Sequence, residues 1–251
     1  MRTILNLNKG WLFSKSAEEA VSIDLPHSWN AVDGQDGGAD YFRGTCRYTK
    51  VLKKSELPVR DCYYLEIRGA NSSADVFVGG EKLAHHDGGY STWRVDITKY
   101  IADETVIEID VDNAPNNRVY PQMADFTFYG GIYRDVNLIC VPESHFDLDY
   151  FGTPGLKVTP EIKGKDAEIE IEAYLTNMKD GQKLRYTISD AEGTVIATKT
   201  TDDDDEDFDI KNVHLWHGRK DPYLYTAELE LVVDGKAIDN ISLPSEVIHS
   251  P

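Results

Sequence analysis

The feature that constrains this chain most is the period of its apolar residues, which is two along its clearest runs and nowhere 3.6. Residues 106–112 read Val-Ile-Glu-Ile-Asp-Val-Asp and put Ile107, Ile109 and Val111 on one face. Residues 167–173, Ala-Glu-Ile-Glu-Ile-Glu-Ala, put Ile169, Ile171 and Ala173 on one side and three glutamates on the other. Residues 226–233, Thr-Ala-Glu-Leu-Glu-Leu-Val-Val, repeat the pattern. Successive side chains of a strand point to opposite faces, so each run predicts a half-buried antiparallel strand with one solvated face. Asp33–Gly34, Gly79–Gly80, Asp87–Gly88, Asp180–Gly181 and Asp234–Gly235 punctuate these runs with the residues that tight hairpin turns require. No long segment reads as an amphipathic helix. The predicted fold class is all-β.

The character of the chain changes near residues 142–145. Before that point lie most of the aromatic residues and two long irregular loops, 33–43 and 113–131. Many strands with long loops predict a jelly-roll β-sandwich over residues 1–143. Residues 144–251 carry shorter, closely spaced strands over about the 100 residues of an immunoglobulin-like β-sandwich. The acidic run 202–207 is expected to be a solvated loop between strands, because it lacks the glycine-punctuated ligand pattern of a calcium loop.

Charge excludes some partners. The 44 acidic residues against 26 basic ones give a net charge of −18, which repels nucleic acid backbones and anionic membranes. No run of about 18 apolar residues occurs and residues 1–11 have no signal-peptide pattern, so a cytoplasmic protein is the default expectation. Cys46, Cys62 and Cys140 are odd in number and lack metal-ligand spacing. They read as reduced, partly buried thiols, and no cofactor or metal site is expected within these residues.

The stretch that asks for a function is 125–135, Asp-Phe-Thr-Phe-Tyr-Gly-Gly-Ile-Tyr-Arg-Asp. A loop rich in rings and fixed charge suggests a sugar-facing or docking surface. Tyr90, Trp93, Phe126, Phe128 and Tyr129 are the rings that can stack on a sugar, burial being the commoner fate for Trp93, which alternates with Val95. His85 and His86 sit beside Asp87, but neighbours in a strand face opposite ways, so they read as surface histidines rather than a shared metal site. Arg43 and Arg134 read as structural ion-pair residues. Asn71-Ser72-Ser73 fits a glycosylation sequon and carries little weight without a secretion signal.

Six blocks together resemble one family. They are Leu-Pro-His-Ser-Trp at 25–29, Tyr-Phe-Arg-Gly at 41–44, the run 69–98 through Trp93, Gly-Gly-Ile-Tyr-Arg-Asp at 130–135, the run 146–159, and Leu215–Trp216 with Asp-Pro-Tyr-Leu-Tyr at 221–225. Their order is similar to the N-terminal sugar-binding and immunoglobulin-like domains of glycoside hydrolase family 2, the β-galactosidases, β-glucuronidases and β-mannosidases. Gly79 stands where that family usually has a turn asparagine, and both residues tolerate positive φ.

The resemblance implies a β-galactosidase-like retaining hydrolase whose two catalytic glutamates, about 5 Å apart, belong to a (β/α) barrel. Motifs of that barrel do not occur in these residues, so no catalytic residue is assigned and the chain alone is expected not to hydrolyse glycosides. The resemblance also implies that Asp125 is the family's substrate- and cation-contacting aspartate, and that Asp40 lies near a polar sugar-contacting position. The expected partners are a β-galactoside-class carbohydrate and a catalytic barrel domain in the whole enzyme. A cation at their shared site, and self-association through an exposed docking patch, are further implications. Two other readings stay open: a stand-alone carbohydrate-binding module, and an acidic adhesion or assembly module.

Overall fold

The computed structural model describes residues 1–15, 18–31, 33, 41–120 and 127–247. Among them there is no α-helix, only strands and three single 3-10 turns. The all-β expectation holds. The chain divides into two units, Thr3–Cys140, and Met1–Arg2 with Val141–Pro251.

The first unit is a jelly-roll sandwich. One sheet runs Thr3–Asn6, Val136–Val141, Cys62–Ile67, Trp93–Asp96; the other runs Val21–Ile23, Trp11–Lys15, Thr45–Lys53, Glu104–Asp112, Ser73–Val78, Glu81–Asp87. The strand Glu104–Asp112 shows why the period-two pattern folds this way. Ile107, Ile109 and Val111 are wholly buried, while Glu108 and Asp110 lie on the outer face and both bind Arg47. Trp11, Tyr48, Leu65 and Ile67 complete the middle of this core. Gly79 and Gly80, with φ of 59° and 85°, close the hairpin between Ser73–Val78 and Glu81–Asp87.

The second unit pairs a three-stranded sheet, Leu156–Lys163, Asp166–Ala173, Asp205–Ile210, with a four-stranded one, Val195–Thr201, Lys183–Ser189, Tyr225–Val233, Lys236–Ser245. Seven strands in two sheets over one core match the immunoglobulin-like expectation. Ile171 from the three-stranded sheet and Tyr186, Leu229 and Leu231 from the four-stranded one fill the core, together with Phe146 of the short pair His145–Phe146 with Leu175–Thr176.

The acidic run departs from its expectation. Asp202 to Asp204 are exposed, but Asp205–Ile210 is a strand whose alternate residues Glu206, Phe208 and Ile210 turn inward. Period two overrides the charge. Glu206 is buried because the Lys199 ammonium reaches over from the strand Val195–Thr201 and pairs with it. All three cysteines are free, and burial pushes the Cys46 thiol up to about 12 and the Cys140 thiol up to about 11.

Candidate functional site

Two asparagines, Asn30 and Asn113, each 0% exposed, organise one end of the first unit. Asn113 follows the last residue of Glu104–Asp112, and Asn30 follows Trp29, which is anchored in the core. The Asn113 amide nitrogen donates to Asn30 Oδ1 (3.1 Å) and Phe128 O (2.9 Å), while its oxygen accepts from Gly44 N (2.9 Å). The Asn30 amide nitrogen donates to Phe42 O (2.9 Å) and the Asp33 carboxylate (3.0 Å), and its oxygen accepts from Gly130 N (2.7 Å). Four loop segments, around Asn30, Phe42, Asn113 and Phe128, are thus tied at one buried point. Buried amides that are fully hydrogen-bonded fix a single loop arrangement, since any alternative strands a polar group away from water.

Rings gather on this hub. Phe128 N donates to Tyr41 Oη (3.2 Å), and the Arg43 guanidinium lies 5.3 Å from the Phe128 ring centre while its Nε donates to Asn113 O (2.8 Å). Beyond it opens a cleft of about 290 Å³, lined by Asn71, Tyr90, Thr127, Phe128, Tyr129 and Tyr133. Asn71 Nδ2 donates to Tyr129 O (2.7 Å), the Tyr133 hydroxyl donates to Gly89 O, and Arg134 Nη1 donates to Tyr90 O (2.9 Å). The short pairing of Gly131–Ile132 with Ala70–Asn71 brings the two ring-bearing loops side by side.

Comparison with known proteins decides the family. The model for Glycosyl hydrolase 2 galactose-binding domain-like matches residues 41–130, and that for Glycosyl hydrolases family 2 matches residues 154–244. The chain belongs to glycosyl hydrolase family 2. It is 32% identical to a β-glucuronidase of Bacteroides fragilis over 96% of this chain and 37% of that protein. A β-galactosidase of Thermoanaerobacter pseudethanolicus is 27% identical over 98% of this chain and 35% of its own length. The crystal structure of an FMN-binding β-glucuronidase from Facaelibacterium prausnitzii L2-6 superposes with a TM-score of 0.92 at 38% identity, covering 99% of this chain and 39% of that one. The chain therefore spans a little over a third of the length of these family 2 relatives.

Within that family frame, the structure sorts the candidate residues. Asp125 and Asp40 lie outside the described residues, as does Phe126. The described residues next to each stretch do meet: Tyr41 borders Asp40, Phe128 lies three places from Asp125, and the two are hydrogen-bonded. Tyr90, Phe128 and Tyr129 come together in the cleft, whereas Trp93 is buried. Arg134 corrects the ion-pair expectation, because it binds a backbone carbonyl and no carboxylate among the described residues. Its neighbour Asp135 takes the polar partners instead, from Asn8 Nδ2 at 2.7 Å. Asn71 cannot serve as a free sequon, since its amide nitrogen is engaged and Ser73 is buried against Asp87. The asparagine hub was missed by sequence reasoning, because a buried asparagine and a turn asparagine look alike until their distant partners are known.

His85 and His86 face opposite ways, as the strand period requires, but only His85 is a surface histidine. His85 Nδ1 sits 2.6 Å from Asp75 and its Nε2 3.2 Å from Asp87, while His86 stacks on Trp93 at 4.8 Å. The hydrogen bond to Asp75, reinforced by Asp87, raises the His85 pKa, whereas partial burial lowers that of His86. The two histidines are expected to titrate on opposite sides of the ordinary value of about 6.5 when followed by NMR. His85 then adds stability that is full below its unfolded value and lost as pH rises through its folded one. His86 acts in reverse, its contribution being present above its unfolded value and lost as pH falls through its folded one. Asp75→Asn should bring the His85 midpoint down; an unmoved midpoint would show that the pair does not exist in solution.

Proposed function

We propose that this chain is the non-catalytic N-terminal portion of a β-glycosidase, supporting a catalytic barrel and forming one wall of its active-site entrance. One observation carries the reading: two family 2 domains occur in order along the chain, which spans only 37–39% of relatives that hydrolyse glycosides by name. The buried hub supports it, for it anchors the described flanks of both Asp40 and Asp125 and would fix a shared wall. Asp125 would accept hydrogen bonds from substrate hydroxyls and help hold a cation there, with Asp40 beside it.

The proposed substrate is a β-galactoside, from the order of sequence blocks. A β-glucuronide is the second reading, favoured by identities of 32% and 38% to glucuronidases against 27% to the galactosidase. The test is to extend the reading frame past Pro251 and assay the whole protein on nitrophenyl β-galactoside and β-glucuronide. Turnover of one of them, absent from the 251-residue chain, is expected. Asp125→Ala in the whole protein should lower kcat/KM about 10- to 100-fold, the loss of a hydrogen bond to a charged group. Turnover by the 251-residue chain alone, above a mock preparation, would overturn the assignment.

A further inference from the structure

We propose that the recess between Arg68 and Arg134 binds a phosphate group. Three neighbouring strands of the four-stranded sheet in the first unit meet at this point. Arg68 follows Cys62–Ile67, Arg134 and Asp135 precede Val136–Val141, and Thr92 precedes Trp93–Asp96. Arg68 N donates to Asp135 O (3.1 Å), which holds the first two strand ends together. With Pro26 and Tyr133, these residues line an open recess of about 360 Å³. Gly69 lets the two cations share it. No positive φ calls for glycine there, but a Cβ would lie 2.9 Å from Arg134 Cδ. The stem of Arg134 therefore rests against the backbone next to Arg68.

The neighbouring carboxylates leave these guanidinium groups largely unused. Arg68 Nε is 3.9 Å from Glu66 Oε1 and its Nη1 is 4.0 Å from Asp135 Oδ2, both longer than a hydrogen bond. Glu66 is already held by Arg94, at 2.8 Å from both Nε and Nη2, and by Asn137 Nδ2 at 3.0 Å. Asp135 Oδ1 accepts from Asn8 Nδ2 at 2.7 Å. Arg134 commits Nη1 to Tyr90 O, which fixes the position of its guanidinium and leaves Nε and Nη2 without a hydrogen-bond partner among the described residues. The Thr92 hydroxyl has none among them either. Two cations against the single carboxylate of Asp135 make the recess locally positive in a chain of net charge −18. The donor set chooses the anion. Two guanidinium forks and a hydroxyl offer more donors than the two oxygens of one carboxylate can face at once, and they suit the three terminal oxygens of a phosphate ester.

The test is proton–nitrogen NMR of the arginine side chains in the 251-residue chain, titrated with inorganic phosphate, phenyl phosphate and acetate at a constant ionic strength of about 0.15 M. Both phosphates should shift the Arg68 and Arg134 signals saturably, with a dissociation constant on the order of millimolar, and acetate should bind about tenfold more weakly. Tighter binding of phenyl phosphate would identify a phosphate monoester as the occupant; the reverse order would identify free phosphate. Arg68→Ala and Arg134→Ala should each weaken phosphate binding about tenfold, followed through the remaining arginine. Arg68→Lys keeps the charge without the fork and should restore only part of that loss. Asp135→Asn should tighten binding, because it removes the carboxylate that lines the recess. Lys165→Ala, exposed in the second unit, should change nothing. Circular dichroism establishes that each variant is folded. No saturable shift at about 50 mM phosphate, acetate bound as tightly as phosphate, or binding that survives loss of both arginines would each refute the site.

Discussion

Replacing Gly131 with alanine is expected to destabilise the first unit by at least about 3 kcal/mol. Gly131 has φ of +134°, a backbone conformation that L side chains rarely adopt. A Cβ there would lie 2.3 Å from His27 O and 3.0 Å from both Ser28 Cα and the Tyr48 hydroxyl. These atoms cannot withdraw. His27 N donates to Ile132 O at 2.8 Å, Ser28 Oγ donates to Gly130 O at 2.9 Å, and the His27 ring is hydrogen-bonded to Tyr48 at 2.8 Å. The obstruction is backbone, locked to the same loop that carries the new methyl group. Gly79→Ala is the control: its φ is +59° but nothing lies within 4 Å, so only backbone strain of about 1–2 kcal/mol is expected. Urea unfolding followed by tryptophan fluorescence reads the difference, since Trp11, Trp29 and Trp93 all belong to this unit. Equal midpoints for the two variants would mean that the close approach of residues 27–28 to Gly131 is not as described.

That glycine marks where the sequence was legible and where it was not. Alternation named the strands, because a half-buried sheet writes its inward residues at every second position, as with Ile107, Ile109 and Val111. The same rule turns Glu206 inward within Asp205–Ile210, where six consecutive acids otherwise read as a solvated loop. The ring-bearing loop stood out by composition, and Tyr90, Phe128 and Tyr129 do share a cleft. What holds the cleft was not readable. Asn30 and Asn113 are 83 residues apart and each looks like an ordinary turn residue. Only the fold brings them together and empties the space around them of water. The double glycine at 130–131 could be read as a turn, but its cause is the approach of residues 27–29, not a turn requirement.

Arg2→Ala is expected to cost the second unit about 3–5 kcal/mol, the usual penalty for breaking a buried ion pair from one side. Asp239 is 0% exposed and lies on the inward register of Lys236–Ser245, two places from the core residue Ile241. Arg2 meets it with two parallel hydrogen bonds, Nε at 2.8 Å and Nη2 at 2.7 Å, and Phe146 N adds a third at 2.9 Å. Without the guanidinium, one amide is left for two carboxylate oxygens that cannot reach water. The reverse change, Asp239→Ala, is expected to cost less, because Arg2 sits next to the first residue and can swing its charge outward. Replacing both together, Arg2→Met with Asp239→Leu, should recover most of the loss, since well-packed apolar residues often match or exceed a buried pair in stability. Hydrogen exchange over residues 145–146 and 236–245 would locate the effect, and deletion of residues 1–2 should reproduce that of Arg2→Ala. If the two single changes cost the same and the double change costs their sum, the residues are not coupled. Nothing in the local sequence of Met1–Arg2 announces this role, yet an aspartate at an inward strand position does announce that a cation must come from elsewhere in the chain.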